Sequence, residues 1–269
     1  VGDIESYPFI EAVRQFRWEV GEKNSLVIHL TLLPFLSAAG ELKTKPTQHS
    51  VKKLMESGIK ADMLVCRTEY DLSEDLRKKL ALFCNVKPEA VIQSIDVETI
   101  YDVPIKMLEE GLDRVVLDKL NLTPKSKLNL DHWNSFLDKY KNPKRKVKIG
   151  LVGKYVELQD SYKSILEALI HAGAINEAEV EVVSIHSEYL NQINAQEMLK
   201  SLDGLIVAPG FGGRGIEGKI DAITYVREQK IPFFGICLGM QMAVIEYARN
   251  VLMHTHANST EIDEKTDFP

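Results

Sequence analysis

This chain has few cysteines, no long apolar runs and no net positive charge. Its three cysteines, Cys66, Cys84 and Cys237, are odd in number and far apart, which argues against a disulfide framework or a zinc site and fits a reducing cytoplasm. No apolar run reaches the ~18 residues of a membrane helix and no signal peptide is seen, so we expect a cytoplasmic protein without a membrane segment. A formal net charge of −6 argues against broad nucleic-acid binding but leaves room for a local basic site for one nucleotide.

The chain has 269 residues, which suggests two domains at ~150 residues per domain. In its first part, strand-like runs alternate with segments of helical spacing. Strands are predicted at 26–34, 62–66, 90–95 and 115–117, the first two of them buried. Helices are predicted at 9–19, 50–57 and 75–83. Alternation of this kind predicts helices packed on a mostly parallel sheet.

A lysine-rich stretch with two prolines interrupts this alternation at 122–146 and is interpreted as a linker rather than a nucleic-acid patch. A second alternating series follows it. The predicted fold class is therefore α/β, with two doubly wound, Rossmann-like domains of mostly parallel sheets joined by a linker. The predicted limits are 1–121, 122–146 and 147–269.

The most informative segment lies at 231–246, where a strand-like run ends and an amphipathic helix begins just past Cys237. Gly235 and Gly239 remove side chains on both flanks, as in a nucleophile elbow. A helix N-terminus beside the sulfur favours the reactive thiolate. The amide of Leu238 would face the oxyanion of an attacked carbonyl. We interpret Cys237 as a nucleophile rather than as a small buried apolar residue.

The glycine-rich loop at 209–215 follows a neighbouring predicted strand, and Gly210 would supply a second oxyanion donor there. A cysteine nucleophile also needs a histidine base. The second domain offers His171, His186, His254 and His256, none of them well placed, so we expect the base beyond residue 269. The chain opens on Val1 without a methionine and stops at Pro269 without starting a new element, and we expect an internal fragment of a larger enzyme.

A second chemical signal is the loop Lys43-Thr-Lys-Pro-Thr-Gln-His-Ser50, predicted between a strand and a helix. Its lysines, threonine hydroxyls and adjacent helix N-terminus suit a polyphosphate. Asp3 and Glu5 could bind a ribose, a base or a metal, although two carboxylates on a loop are usually only solvated.

Together these segments closely resemble the CTP synthase family of glutamine-dependent amidoligases, which convert UTP to CTP. Gly2-Asp-Ile-Glu-Ser6, Gly40-Glu-Leu-Lys-Thr-Lys-Pro-Thr-Gln-His-Ser-Val51 and Ala81-Leu-Phe-Cys-Asn-Val86 resemble that family's synthetase domain. Gly210-Phe-Gly-Gly-Arg-Gly-Ile-Glu-Gly-Lys219, Gly235-Ile-Cys-Leu-Gly-Met-Gln241 and Ala257-Asn-Ser-Thr-Glu261 resemble its glutaminase domain. The resemblance covers essentially the whole chain, and the lysine–threonine loop is its most specific part.

The resemblance implies roles for individual residues. Cys237 would form a glutamyl thioester and release ammonia, and the glutamine site would comprise Gly210, Leu238, Gly239, Met240, Gln241 and Glu261. UTP would be bound by Lys43, Thr44, Lys45, Pro46, Thr47, Gln48 and Lys79, and feedback-inhibiting CTP also by Asp3, Ile4 and Glu5. The base of ATP would lie near Ile95, Asp96 and Val97.

The resemblance further implies Mg²⁺ with ATP, GTP as activator, CTP as inhibitor, and a homotetramer built from dimers, with no nucleic-acid partner. ATP would phosphorylate the uracil O4, and ammonia arriving through a passage between the domains would displace the phosphate. The family's phosphate loop and metal ligands should precede Val1, and the rest of the triad should follow Pro269, so we expect the fragment alone to be inactive. Two alternatives remain open, namely another class I glutamine amidotransferase and a non-enzymatic assembly or regulatory module.

Overall fold

The computed structural model describes residues 1–158 and 160–269 in full and only the backbone of Gln159. By its internal contacts the chain divides into two compact units, Val1–Asn129 and Leu130–Pro269. Each unit has its own hydrophobic core. The domain limits predicted from the sequence stay a prediction. The predicted linker stretch holds a helix, and that helix belongs to the second unit.

The first unit carries these elements in chain order: α1 (Tyr7–Val20), β1 (Ile28–Leu33), β2 (Phe35–Leu36), β3 (Glu41–Leu42), α2 (Lys45–Glu56), β4 (Met63–Thr68), α3 (Glu74–Cys84), β5 (Val91–Ile95), α4 (Val103–Glu109) and α5 (Leu112–Lys119). Strands β1, β4 and β5 form a parallel sheet in that order, and β2 pairs with β3 as an antiparallel hairpin. The predicted α/β class with mostly parallel strands is thus confirmed for this unit.

Two details of the first unit differ from the sequence-based expectation. The segment 115–117 is not a strand but lies inside α5, where Val115 and Val116 pack with Leu112 on β4 and β5. Their spacing of three and four residues gives one helical face, which a run of three apolar residues cannot reveal. Strand β1 is only half buried, because it lies at the sheet edge and alternates exposed and buried side chains.

The second unit carries these elements in chain order: α6 (Asp131–Lys141), β6 (Arg145–Gly153), α7 (Lys163–Ile175), β7 (Ala178–His186), α8 (Ala195–Leu199), β8 (Gly204–Val207), α9 (Ile216–Glu228), β9 (Phe233–Gly235) and α10 (Leu238–Asn250). Its four strands are all parallel, in the order β7-β6-β8-β9. The direction of winding reverses between β6 and β8. In doubly wound sheets the ligand crevice opens beyond the carboxyl ends of the strands at such a reversal.

Candidate functional site

Cys237 sits at the sharp corner between β9 and α10. The amide of Ile236 donates to the Val207 carbonyl at 3.0 Å, which extends the pairing of β9 with β8 up to the corner. The backbone then turns through Cys237 with φ 52° and ψ −107°. A side chain at positive φ is sterically strained, and such strain is concentrated at functional sites. The thiol is exposed to solvent and precedes the first helical turn, whose amides favour a thiolate.

Two glycines make this corner sterically feasible. A Cβ on Gly235 would lie 2.6 Å from the carbonyl carbon of Gly239, and one on Gly239 would lie 2.2 Å from the Val207 oxygen. Both distances are far below van der Waals contact, so neither position admits a side chain without a backbone shift. The close packing of α10 on β8 and β9 therefore fixes where the thiol projects.

The glycine-rich loop between β8 and α9 lies beside the corner. A Cβ on Gly210 would be 3.8 Å from Cδ2 of Leu238, the residue that follows the nucleophile. Gly212 and Gly215 have φ values of 74° and 72°, which glycine adopts without strain. The two predicted oxyanion donors, Gly210 and Leu238, thus belong to neighbouring segments at the same end of the sheet.

The structure also joins two residues of the predicted glutamine site that are 20 positions apart in sequence. Nε2 of Gln241, on the first turn of α10, donates to Oε2 of Glu261 at 2.7 Å. Among the described residues, the buried Oε1 of Gln241 has no hydrogen-bond partner. An orphaned buried acceptor of this kind is ready to receive a donor from a ligand. Met240, by contrast, is largely exposed and points away from the packed core.

The candidate histidines make other contacts. The ring of His171 packs edge-on against Phe136, and the ring of His186 stacks on Tyr189 at a centroid distance of 4.6 Å. His256 packs against Phe268. In the described part of the chain no hydrogen bond joins a histidine to Cys237. The base of the predicted triad therefore has no assigned residue.

Sequence reasoning missed two buried lysines that border the glycine-rich loop. Lys154 follows β6 and is 8% exposed, while Lys219 on α9 is not exposed at all. The pair Gly153-Lys154 superficially resembles a phosphate loop, but it lacks the earlier glycine and the following Ser or Thr of that motif. Lys219 could have been found from its spacing, because it falls on the apolar face of α9 that also buries Ile216 and Ile223.

The lysine–threonine signature is not a loop but the start of α2. The helix begins at Lys45, and Pro46 is accommodated in the first turn because amides there lack helical acceptors. Thr47 is fully buried and donates to the Leu32 carbonyl at 3.1 Å, which ties α2 to β1. Gln48 donates to the hydroxyl of buried Thr44 at 3.1 Å. The two threonines thus hold the helix start in place.

Lysines gather on the outer side of the same helix start. Lys43 forms an ion pair with Glu41, and Lys45 is exposed. The hydrogen bond from Lys43 lowers the pKa of Glu41, and the charge of Lys79 lowers it to a smaller extent. The predicted UTP ligands Lys43 and Lys79 are thus close to one carboxylate. Their combined charge at a helix N-terminus suits an anionic ligand.

The segment with Asp3, Ile4 and Glu5 forms a short 3-10 turn that is exposed. A Cβ on Gly2 would be 3.2 Å from Cγ of Lys53, so this segment lies beside the second half of α2. No direct contact between Asp3 or Glu5 and the predicted UTP lysines is seen in the described residues.

The predicted ATP residues line a cavity of about 430 Å³ at the carboxyl edge of the first sheet. Asp96 lies just past β5 and forms an ion pair with Arg67 at 2.9 Å. The cavity is bordered by these residues: Asp71, Gln93, Ile95, Asp96, Val97, Lys106, Glu109 and Glu110. Ile95, Asp96 and Val97 therefore share one concave site.

Two further findings concern metal and membrane. Among the described residues, no group of three or more His, Cys, Asp or Glu side chains converges well enough to hold a metal ion. The Mg²⁺ implied by the resemblance thus has no ligand set in the part of the chain that the structure describes. No helix in the described part of the chain has the length and apolar character needed to span a bilayer.

The second unit places a strained cysteine corner beside the glycine-rich loop that follows β8, an arrangement that cysteine-dependent acyl transfer requires. A family model described as glutamine amidotransferase class-I matches residues 157–267, and one described as CTP synthase N-terminus matches residues 1–122. The chain belongs to the CTP synthase family. The resemblance drawn from its motifs is thereby confirmed.

Individual relatives agree with this assignment. The chain is 74% identical over 269 residues to CTP synthase of Flavobacterium psychrophilum, covering 100% of this chain and 50% of the relative. It is 57% identical over 275 residues to CTP synthase of Methanocaldococcus jannaschii, covering 100% and 51%. The chain spans about half the length of the curated relatives it matches.

One solved structure is also similar, the glutaminase domain of Trypanosoma brucei CTPS with bound acivicin. It is 37% identical, covers 45% of this chain and 48% of that chain, and has a TM-score of 0.43.

Proposed function

We propose that this chain carries the glutaminase nucleophile and part of the nucleotide site of a glutamine-hydrolysing CTP synthase, a C–N bond-forming ligase of pyrimidine nucleotide biosynthesis. The observation that carries the proposal is the strained corner at Cys237 beside Gly210, in a chain whose first unit matches the N-terminal family model. The three cysteines are free, which supports a cytoplasmic setting.

In the glutaminase step the Cys237 thiolate attacks the side-chain carboxamide carbon of glutamine. The amides near Gly210 and Leu238 stabilise the resulting oxyanion. When the C–N bond breaks, the nitrogen takes up a proton and leaves as ammonia, and a thioester remains. Water then releases glutamate and regenerates the thiol. Glu261 binds the substrate's amino group, and the free Oε1 of Gln241 is available to a substrate N–H.

In the synthetase step ATP phosphorylates the O4 of UTP, and ammonia adds at C4 and expels phosphate. Lys43, Lys45 and Lys79 bind the triphosphate of UTP, and the cavity at Asp96 receives the base of ATP. GTP activation, CTP inhibition and a homotetramer are part of the proposal through family membership alone.

The test is CTP formation by a chimera in which this chain replaces the matching half of the F. psychrophilum enzyme, to which it is 74% identical. Glutamine and ammonia are supplied separately. We expect Cys237→Ala to abolish the glutamine-driven reaction and to spare the ammonia-driven one. Lys45→Ala should raise the KM for UTP with either nitrogen source, since the exposed ammonium would contact phosphate.

A chimera that makes no CTP from either nitrogen source would overturn the synthetase assignment. Another class I amidotransferase is then favoured if Cys237-dependent glutamine hydrolysis persists, and a non-enzymatic assembly module if it does not. Full glutamine-driven activity in Cys237→Ala would remove the cysteine from the mechanism.

A further inference from the structure

Two ammonium groups are buried at the switch point of the second sheet, on the inner side of the glycine-rich loop. Lys154 and Lys219 are 8% and 0% exposed. Burying an ammonium group is costly unless it is well paired, and two neighbouring positive charges add repulsion. The hydrogen bonds described for both groups go to backbone carbonyls rather than to carboxylates. An arrangement this costly at a ligand crevice indicates a functional role.

The carbonyls that these lysines bind all belong to the loop. Nζ of Lys154 donates to the carbonyl of Phe211 and, at 3.3 Å, to that of Gly212. Nζ of Lys219 donates to the carbonyl of Ala208 at 3.3 Å. In a planar trans peptide the N–H points opposite to the carbonyl. Because the Phe211 and Gly212 carbonyls point toward the lysines, the backbone N–H groups that follow Phe211 and Gly212 point away from the lysines.

Lys219 is also electrostatically coupled to the nucleophile. Burial and, to a smaller extent, the charge of Lys154 lower the pKa of Lys219 to about 8, whereas Cys237 acts in the opposite direction. The same proximity is seen at Gly210, where a Cβ would be 3.7 Å from Nζ of Lys219 and 3.8 Å from Cδ2 of Leu238. The charged groups that face Lys219 are thus Lys154, from the end of β6, and Cys237, from the corner before α10.

We propose that Lys154 and Lys219 are positioning residues of the glutaminase centre, which hold the glycine-rich loop, and with it the oxyanion donor at Gly210, in place through its carbonyls. The proposal rests on the function proposed above. Lys154 acts mainly through the loop, because it binds two successive carbonyls. Lys219 acts at the start of the loop, through the Ala208 carbonyl and its position beside Gly210.

The experiment measures the rate of Cys237 alkylation in the 269-residue chain by peptide mass spectrometry, between about pH 6 and 10. Iodoacetamide reports the thiolate without recognition of an amino acid. A glutamine analogue with a chloroketone in place of the carboxamide reports the complete site, with chloroacetone as its control. The variants are Lys219→Met and Lys154→Met, and the matched control is Lys200→Met, an exposed lysine of the same unit.

We expect Lys219→Met to slow labelling by the glutamine analogue roughly tenfold relative to labelling by iodoacetamide, since the loop that binds the carbonyl oxygen loses an anchor. Lys154→Met should likewise slow labelling by the glutamine analogue more than labelling by iodoacetamide. Lys200→Met should match the parent chain. If Lys219→Met does not fold, Lys219→Gln replaces it, because an amide keeps a donor for Ala208 without the charge. A smaller loss of labelling by the glutamine analogue is expected there.

Folded variants with the same ratio of analogue to iodoacetamide labelling as the parent chain would overturn the proposal, since a role confined to stability does not change that ratio. Failure of the proposed function has a different signature. In that case the parent Cys237 reacts no faster with the glutamine analogue than with chloroacetone, while the ratio of chloroacetone to iodoacetamide labelling still decides the role of the lysines, because chloroacetone also presents a carbonyl to the loop.

Discussion

At the scale of single residues, function depends on where side chains are absent. The corner at Cys237 exists because Gly235 and Gly239 allow α10 to pack directly on β8 and β9. Two glycines, which have no side chain, thus fix the position of the Cys237 thiol. Their pattern around the cysteine could be read from the sequence, since glycines on both sides of a nucleophile at a strand-to-helix junction have few other uses.

Gly239→Ala should damage this corner. Its Cβ would lie 2.2 Å from the Val207 oxygen, so the helix must move, and we expect a loss of ~1–3 kcal/mol in the free energy of unfolding. Urea unfolding measures it. Gly213→Ala is the matched control, because nothing lies within 4 Å of its Cβ. Equal unfolding midpoints for the two variants would contradict the packing described here.

At the scale of elements, a buried carboxylate joins α9 to α10. Glu246 is 1% exposed and accepts from Nε of Arg227 at 3.0 and 3.1 Å, and from Asn250 at 3.1 Å. Arg227 lies on α9 and Glu246 on α10, so this contact fixes the helix that begins directly after the nucleophile. The hydrogen bond to Glu246 raises the pKa of the Arg227 guanidinium above its ordinary value.

Arg227→Met should therefore destabilise the second unit. It leaves the Glu246 carboxylate buried with fewer donors, which we expect to lower the free energy of unfolding by about 2 kcal/mol. The double variant Arg227→Met with Glu246→Met should recover part of this loss, since no unpaired charge remains. Thermal unfolding of the single and double variants measures both effects. A single variant as stable as the parent would show that water or Asn250 satisfies the carboxylate.

The sequence predicted most elements but not which of them meet. Apolar runs located the strands of the parallel sheets, and the motifs located Cys237 and the glycine-rich loop. The edge position of β1, the pairing of Gln241 with Glu261 and the burial of Lys154 depend on neighbours far away in sequence. Local patterns carry no information about such neighbours, and for a short apolar run such as 115–117 they do not even separate strand from helix.

At the scale of the whole molecule, each unit is packed around its own core. The cores of the second unit contain only residues of that unit, so its packing needs nothing from residues 1–129. The first unit exposes large apolar side chains on α1 and β1. They include Phe16 at 64%, Trp18 at 86% and Leu30 at 68%. An exposed apolar face of this kind promotes association.

We therefore expect residues 130–269 alone to fold and residues 1–129 alone to self-associate. The isolated second unit should unfold cooperatively, and its Cys237 should react with iodoacetamide as fast as in the whole chain, because the corner, the loop and both buried lysines lie within it. Light scattering of the isolated first unit should increase with concentration, and Leu30→Lys should reduce it by placing a charge on the exposed edge strand. A second unit that unfolds without cooperativity would show that its core is completed by residues outside 130–269, and the nucleophile's geometry would then depend on the first unit as well.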